Sequence, residues 1–263
     1  VAEMMRLLVD MHGIPWAEAW KITQAVTSYT NHTLLPEALE SWPVNLMERM
    51  LPRHMQIIYA INEDLLKMVR ARPGVTAEFI SSVSLIDEYA GRRVRMGQLA
   101  FVGSHSINGV SALHTGLMKE TVFANLHTLF PDRINNKTNG ITPRRWLKGA
   151  NHGLTELLKS AIGDGFLSDA EELQKAEPLA KDKAFRQAFA AVKRENKAEL
   201  SNLIAARMSI ATDPTTLFDV QIKRIHEYKR QLLNILETIA LYEAMRDEPS
   251  KNWVPRVKIF AGK

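Results

Sequence analysis

Four cations crowd nine positions of this chain. Lys223, Arg224, Lys229 and Arg230 fall within residues 222–230, with only Glu227 to oppose them. A second cluster, Lys137, Arg144, Arg145 and Lys148, falls within residues 137–148 with no acid at all. Residues 1–136 hold 12 basic and 13 acidic side chains, and residues 137–263 hold 22 and 16. The formal charge of +5 is therefore local, which suits a compact anion site and argues against a broad nucleic-acid surface. The 222–230 cluster follows a predicted strand, on the side where open α/β sheets bind ligands. It also falls on the first turn of a predicted helix, 228–246, where each cation opposes the macrodipole at a cost of up to ~1 kcal/mol. A bound phosphate would resolve that conflict. A solvated basic turn explains the same residues equally well.

Two other segments have two readings. Residues 135–146 contain Asn139 and an Arg pair in a run of turn formers, either a polar loop presented to a ligand or a domain linker. Spacing alone favours the linker. Thr30-Asn-His-Thr33 reads first as a helix entry with Thr or Asn capping, and His32 as a ligand group is the lesser reading. Phosphate-loop, dinucleotide, nucleophile-elbow and zincin motifs are missing, and the eight His show no metal-ligand spacing. With no Cys there is no thiolate chemistry and no disulfide, in keeping with a cytoplasmic setting.

The elements that must position these groups follow from periodicity. Helices are predicted over 2–12, ending at Gly13, from Pro15 towards Tyr29, and over 53–70 with Ile57, Ile58, Ile61, Leu65, Met68 and Val69 on one face. A strand is predicted at Leu99–Val102, then a helix from about Val110, and further helices over 151–162 and 182–208. Ser168-Asp-Ala-Glu171 reads as a capping box. Strand 217–222, helix 228–246 and strand 256–261 make one βαβ unit, hence a parallel pair with a right-handed crossover. With 263 residues, 46 % of them hydrophobic, the chain can bury one large core or two smaller ones. Its longest uncharged stretch, Met96–Met118, is too polar to span a membrane. The absent Met at the start and the strand-like final run suggest an internal piece of a larger protein.

Five long segments, in order and spread along the chain, carry a resemblance. They are Thr30-Asn-His-Thr-Leu-Leu-Pro-Glu-Ala-Leu-Glu-Ser-Trp-Pro43, Leu51-Pro-Arg-His-Met-Gln-Ile-Ile58, Gly103-Ser-His-Ser-Ile-Asn-Gly-Val110, Thr138-Asn-Gly-Ile-Thr-Pro-Arg-Arg-Trp146 and Val220-Gln-Ile-Lys-Arg-Ile-His-Glu-Tyr-Lys-Arg-Gln231. The chain resembles the α-1,4-glucan phosphorylases, which act on glycogen, starch and maltodextrin, and in detail the bacterial maltodextrin type. The resemblance implies an α/β enzyme of two Rossmann-like domains facing across a cleft, a GT-B-like architecture. Residues 1–137 would be the mostly helical C-terminal part of the first, glucan-side domain. Residues 138–263 would begin the second, cofactor-side domain, with its βαβ unit at 217–261.

The implied reaction is phosphorolysis of an α-1,4-glucan to α-glucose 1-phosphate with retention, dependent on pyridoxal 5'-phosphate. By the same resemblance Arg224 and Lys229 hold the substrate phosphate, Lys223 holds the cofactor phosphate and Tyr228 lies beside them. His32 and Asn139 hydrogen-bond the glucose unit, and Trp146 and Val110 pack near the cofactor ring. The lysine that bears the cofactor would lie beyond Lys263, so residues 1–263 alone are expected to be inactive. The implied partners are α-1,4-glucan and inorganic phosphate, with no nucleic acid and no membrane, in a homodimeric full-length protein. Two other readings compete: a nucleotide-sugar glycosyltransferase of similar architecture, which would carry no pyridoxal absorbance, and a helical nucleic-acid binder, whose binding would depend steeply on salt.

Overall fold

The computed structural model describes residues 1–35, 39–89 and 91–263. Its contacts divide the chain into two compact units, Val1–Gly140 and Ile141–Lys263. In the first unit α1 (Ala2–Arg6) widens into a π-helical turn over Leu7–Met11, and α2 (Trp16–Val26) follows. Then come β1 (Ser28–Thr30), β2 (Ser41–Pro43), α3 (Val44–Met50), α4 (Pro52–Arg70) and α5 (Ala77–Val83). The unit closes with β3 (Ile86–Asp87), β4 (Arg93–Arg95), α6 (Met96–Val102), β5 (Ser106–Gly109), α7 (Ala112–Glu120), α8 (Ala124–Leu129) and β6 (Ile134–Asn136). Strands β1, β5 and β6 form a parallel sheet with β5 in the centre, and β2, β4 and β3 form a small antiparallel one.

The core of this unit is built on α4. Its apolar stripe buries Ile57, Ile58, Ile61, Leu65 and Val69, each worth roughly 1.5–3 kcal/mol, and it packs against α1 and α3. Met68, read on the same face, is instead exposed. Around the parallel sheet the Phe101 and Phe123 rings lie 5.3 Å apart, and the Arg133 guanidinium stands 4.1 Å over Phe130. Burial depresses the Arg133 pKa, and the same side chain donates to the Val102 carbonyl at 3.0 Å.

Three expectations are corrected here. Leu99–Val102 is the end of helix α6, not a strand: Leu99, Phe101 and Val102 are all buried, and Arg133 and Gln24 satisfy the terminal Val102 carbonyl. A run of four apolar residues carries no period that separates the two states. The helix from Pro15 stops at Val26, and Tyr29 belongs to β1. Thr30 ends that strand and does not cap a helix, while residues 31–35 form turns in which Asn31 Oδ1 accepts from the Thr33 N–H and Thr33 Oγ1 from the Leu35 N–H. Pro36 and Glu37, part of the same reading, lie outside the described residues.

In the second unit α9 (His152–Ile162) and α10 (Lys183–Met208) take the predicted places, capped by Asn151 and Asp182. Ser168 does not cap the segment between them. Asp169 does, accepting from the Glu171 N–H at the head of a 3-10 helix over Ala170–Lys181, because the chain turns one residue later than the box implies. Strand β7 (Leu217–Ile222), helix α11 (Gln231–Asp247) and strand β8 (Arg256–Ala261) form the βαβ unit, its strands parallel from Leu217↔Arg256 to Ile222↔Ala261. Lys258 of β8 links strand and helix, with Nζ 2.6 Å from Asp219 and 2.5 Å from Glu237, and these partners raise its pKa. Leu232, Leu233, Leu236, Ile239 and Tyr242 on α11 are each more than half exposed.

Candidate active site

The carboxyl ends of β1, β5 and β6 share one edge of the parallel sheet, and three of the implied site residues leave from it. His32 lies two residues past β1, Val110 one past β5 and Asn139 three past β6. Backbone bonds stitch the three loops: Asn31 N–H donates to Asn108 O at 3.0 Å, Lys137 N–H to Gly109 O at 3.1 Å, and Asn139 N–H to Val110 O at 2.8 Å. The side chains of His32 and Asn139 are exposed and make no hydrogen bond among the described residues, so both are free to meet a ligand. Asn31, by contrast, is 1 % exposed and fully engaged: Nδ2 donates to Tyr29 Oη, and Oδ1 accepts from Thr33 and faces His114 Nε2.

Gly109 closes β5 where no side chain fits. A Cβ there would stand 2.3 Å from Thr115 Oγ1 and 2.9 Å from Thr115 Cα. Gly109→Ala must therefore push α7 off the sheet. We expect a loss of stability of about 1–3 kcal/mol, read as a lowered thermal midpoint. An unchanged midpoint would mean that α7 yields freely.

The basic turn lies in the second unit. It is not the first turn of α11. Arg230 takes a left-handed conformation (φ +55) immediately before the helix, and Glu227–Lys229 form a separate 3-10 turn headed by His226. The cations thus do not face the helix dipole from within the helix, and the predicted start at residue 228 moves to Gln231. Side-chain amides splice the turn to its surroundings, which periodicity does not reveal: Gln231 Nε2 donates to Arg224 O, and Gln221 Nε2 to Lys229 O. At its start Lys223 N–H donates to Ala261 O and Ile225 N–H to Lys263 O, continuing the β7–β8 ladder. Gly262 permits this approach, since a Cβ there would stand 2.5 Å from Lys223 O.

The turn holds Lys223, Arg224, Tyr228 and Lys229 within one short loop at the carboxyl end of β7. The Tyr228 ring packs on His226 at 4.4 Å, and Lys229 Nζ lies 5.6 Å from the Tyr228 ring centre. None of Lys223, Arg224, Lys229 and Arg230 pairs with a carboxylate among the described residues, although each is a full positive charge. Unpaired cations on a pinned backbone are ready to take anions, and Arg224 can do so bidentately. They suit a phosphate-bearing cofactor as well as a phosphate substrate. Trp146, in a π-helical turn over Arg144–Lys148, is 59 % exposed.

Among the described residues no group of three or more His, Asp or Glu could hold a metal ion, and no helix is long and apolar enough to cross a membrane. The carbohydrate phosphorylase family model matches residues 1–263. Over all 263 residues the chain is 49 % identical to a glycogen phosphorylase of Haemophilus influenzae, covering 32 % of that protein. It is 49 % identical to one of Synechocystis, covering 31 %, and 45 % identical to the human liver form, covering 31 %. The chain thus spans about a third of the length of the curated relatives it matches. On the match along its whole length, this chain belongs to the carbohydrate phosphorylase family.

Proposed function

We propose that this chain works within a polypeptide of the relatives' length as part of a glucan phosphorylase, cleaving an α-1,4-glucan with inorganic phosphate to give α-glucose 1-phosphate. The observation that carries the reading is the pinned turn of unpaired cations at the carboxyl end of β7. In the reaction the bond between glucose C1 and the chain oxygen breaks, a bond from C1 to phosphate oxygen forms, and the departing oxygen takes a proton. Arg224 and Lys229 bind and orient the substrate phosphate, and Lys223 holds the phosphate of pyridoxal 5'-phosphate, with Tyr228 beside them. That cofactor's phosphate supplies proton transfer to the substrate phosphate when bound. Two anions brought together repel, and fixed positive charge offsets that repulsion without reorganisation. His32 and Asn139 hydrogen-bond the glucose, and Val110 and Trp146 pack near the cofactor ring.

In this reading residues 1–137 belong to the glucan-side domain and 138–263 to the cofactor-side domain of a GT-B-like enzyme. The full-length enzyme is a cytoplasmic homodimer. The test is an absorption spectrum of the purified full-length protein together with a phosphorolysis assay. Pyridoxal absorbance with glucose 1-phosphate formed from glucan and phosphate is the expected result. A colourless protein that transfers glucose only from a nucleotide sugar would replace the reading with a glycosyltransferase.

A further inference from the structure

We propose that His114 is a positioning residue for the sugar-binding edge, one imidazole that holds the loop carrying His32 and the turn carrying Val110 and Asn139 in a single arrangement. The inference rests on the sugar-site reading above and adds a residue to which that reading gives no role.

The ring is bonded at both ends. Its Nδ1 accepts the Val110 N–H at 3.0 Å, and its Nε2 lies 3.1 Å from Asn31 Oδ1. Val110 N–H has only a proton to offer, so Nδ1 must keep its lone pair and the proton must sit on Nε2, where it donates to Asn31. The tautomer is thereby set by the partners. Burial, and secondarily the charge of nearby His32, lower the His114 pKa, which keeps the ring in the neutral form this pattern needs. A protonated ring would set N–H against N–H at Val110.

Both ends lead to a substrate-facing residue. Asn31 directly precedes His32 and is buried, with its other polar contacts on Tyr29 and Thr33. Val110 accepts the Asn139 N–H through its carbonyl, so the ring that fixes Val110 also fixes the Asn139 backbone. The ring itself springs from a fixed place, because Ser111 Oγ caps α7 by accepting the His114 N–H at 3.1 Å. Small displacements of positioned groups cost large factors in rate.

The test is made in the full-length holoenzyme with His114→Leu, His114→Asn, His114→Gln and, as a reference, His32→Ala. Leucine fills the space with no polar atom. Asparagine reaches Val110 but not Asn31, and glutamine reaches Asn31 but not Val110. We expect His114→Leu to lower kcat/KM for glucan at least ~10-fold while KM for phosphate stays unchanged. Asparagine and glutamine should each recover part of that loss. If the leucine variant does not fold, the polar variants decide: reduced kcat/KM for glucan with normal KM for phosphate supports the role. Wild-type kcat/KM for glucan in the leucine variant, or in both polar variants, overturns it. So does a parallel loss of phosphate affinity, which marks a general structural defect. Normal glucan turnover in His32→Ala would instead overturn the sugar-site reading itself.

Discussion

Lys229→Ala and Arg224→Ala, each made in the full-length enzyme, lower turnover by at least about 10²-fold at saturating glucan and phosphate. The expectation follows from what these side chains lack. Neither is paired with a carboxylate among the described residues, and Gln221 ties the Lys229 backbone to the end of β7 while Gln231 ties the Arg224 backbone to the start of α11. Their charge is therefore free for an anion and already in place for it. A charge-assisted contact to the reacting phosphate gains strength as charge develops, so its loss appears in kcat as well as in KM. Arg224→Lys tests geometry separately from charge, since lysine keeps the charge and loses the planar fork. It should remain impaired, though less than the alanine variant. Steady-state kinetics over a range of phosphate concentrations read all three variants. Near-normal rates in both alanine variants would remove the basic turn from the reaction.

His32→Ala and Asn139→Ala lower kcat/KM for glucan roughly 10²-fold or more while the cofactor absorbance stays intact. A site built to hydrogen-bond a sugar hydroxyl loses heavily when one partner is removed, because the other is left desolvated and unpaired. Both side chains are exposed and make no hydrogen bond within the described residues, so truncation breaks no internal hydrogen bond. The Asn139 loop is held by its backbone N–H on Val110, and the His32 loop by its neighbour Asn31. The loss should therefore read as binding and catalysis, with the thermal midpoint unchanged. Cofactor absorbance falling with activity in either variant would move that residue out of the sugar site.

Much of the framework is legible in the sequence. The strand bounds at 217–222 and 256–261, their parallel pairing, the long α10 and, Met68 apart, the apolar stripe of α4 match expectation. These are repeating patterns, and a helix declares itself through bonds four residues apart and a 3.6-residue stripe. The central strand β5 did not show. Its sequence, Ser-Ile-Asn-Gly, alternates over only four residues with one buried aliphatic side chain, too short a signal to declare itself, and it is a strand because β1 and β6 flank it. The apolar run just before it, read as the strand, is a helix end whose last carbonyl is satisfied by Arg133 and Gln24. The basic turn was found by composition, but its conformation was not, because the left-handed Arg230 and the Gln231 bond to Arg224 follow no propensity.

The sequence by itself determined the family and the local density of cations, and it named the groups proposed to meet phosphate and sugar. These are properties of short contiguous motifs, and residue types alone carry them. Tertiary structure decided which groups share a place. His32, Val110 and Asn139 meet because three parallel strands end at one edge. Asn31 and His114 touch across 83 positions of chain, and Gly109 is required by Thr115 of a helix not yet begun. Bonds between distant segments leave no period in either one, because each partner is chosen by where the other segment is carried and not by its own neighbours. That is why the residues proposed to face ligands could be read from motifs, whereas the buried asparagine and the two-ended histidine behind them emerged only from the fold.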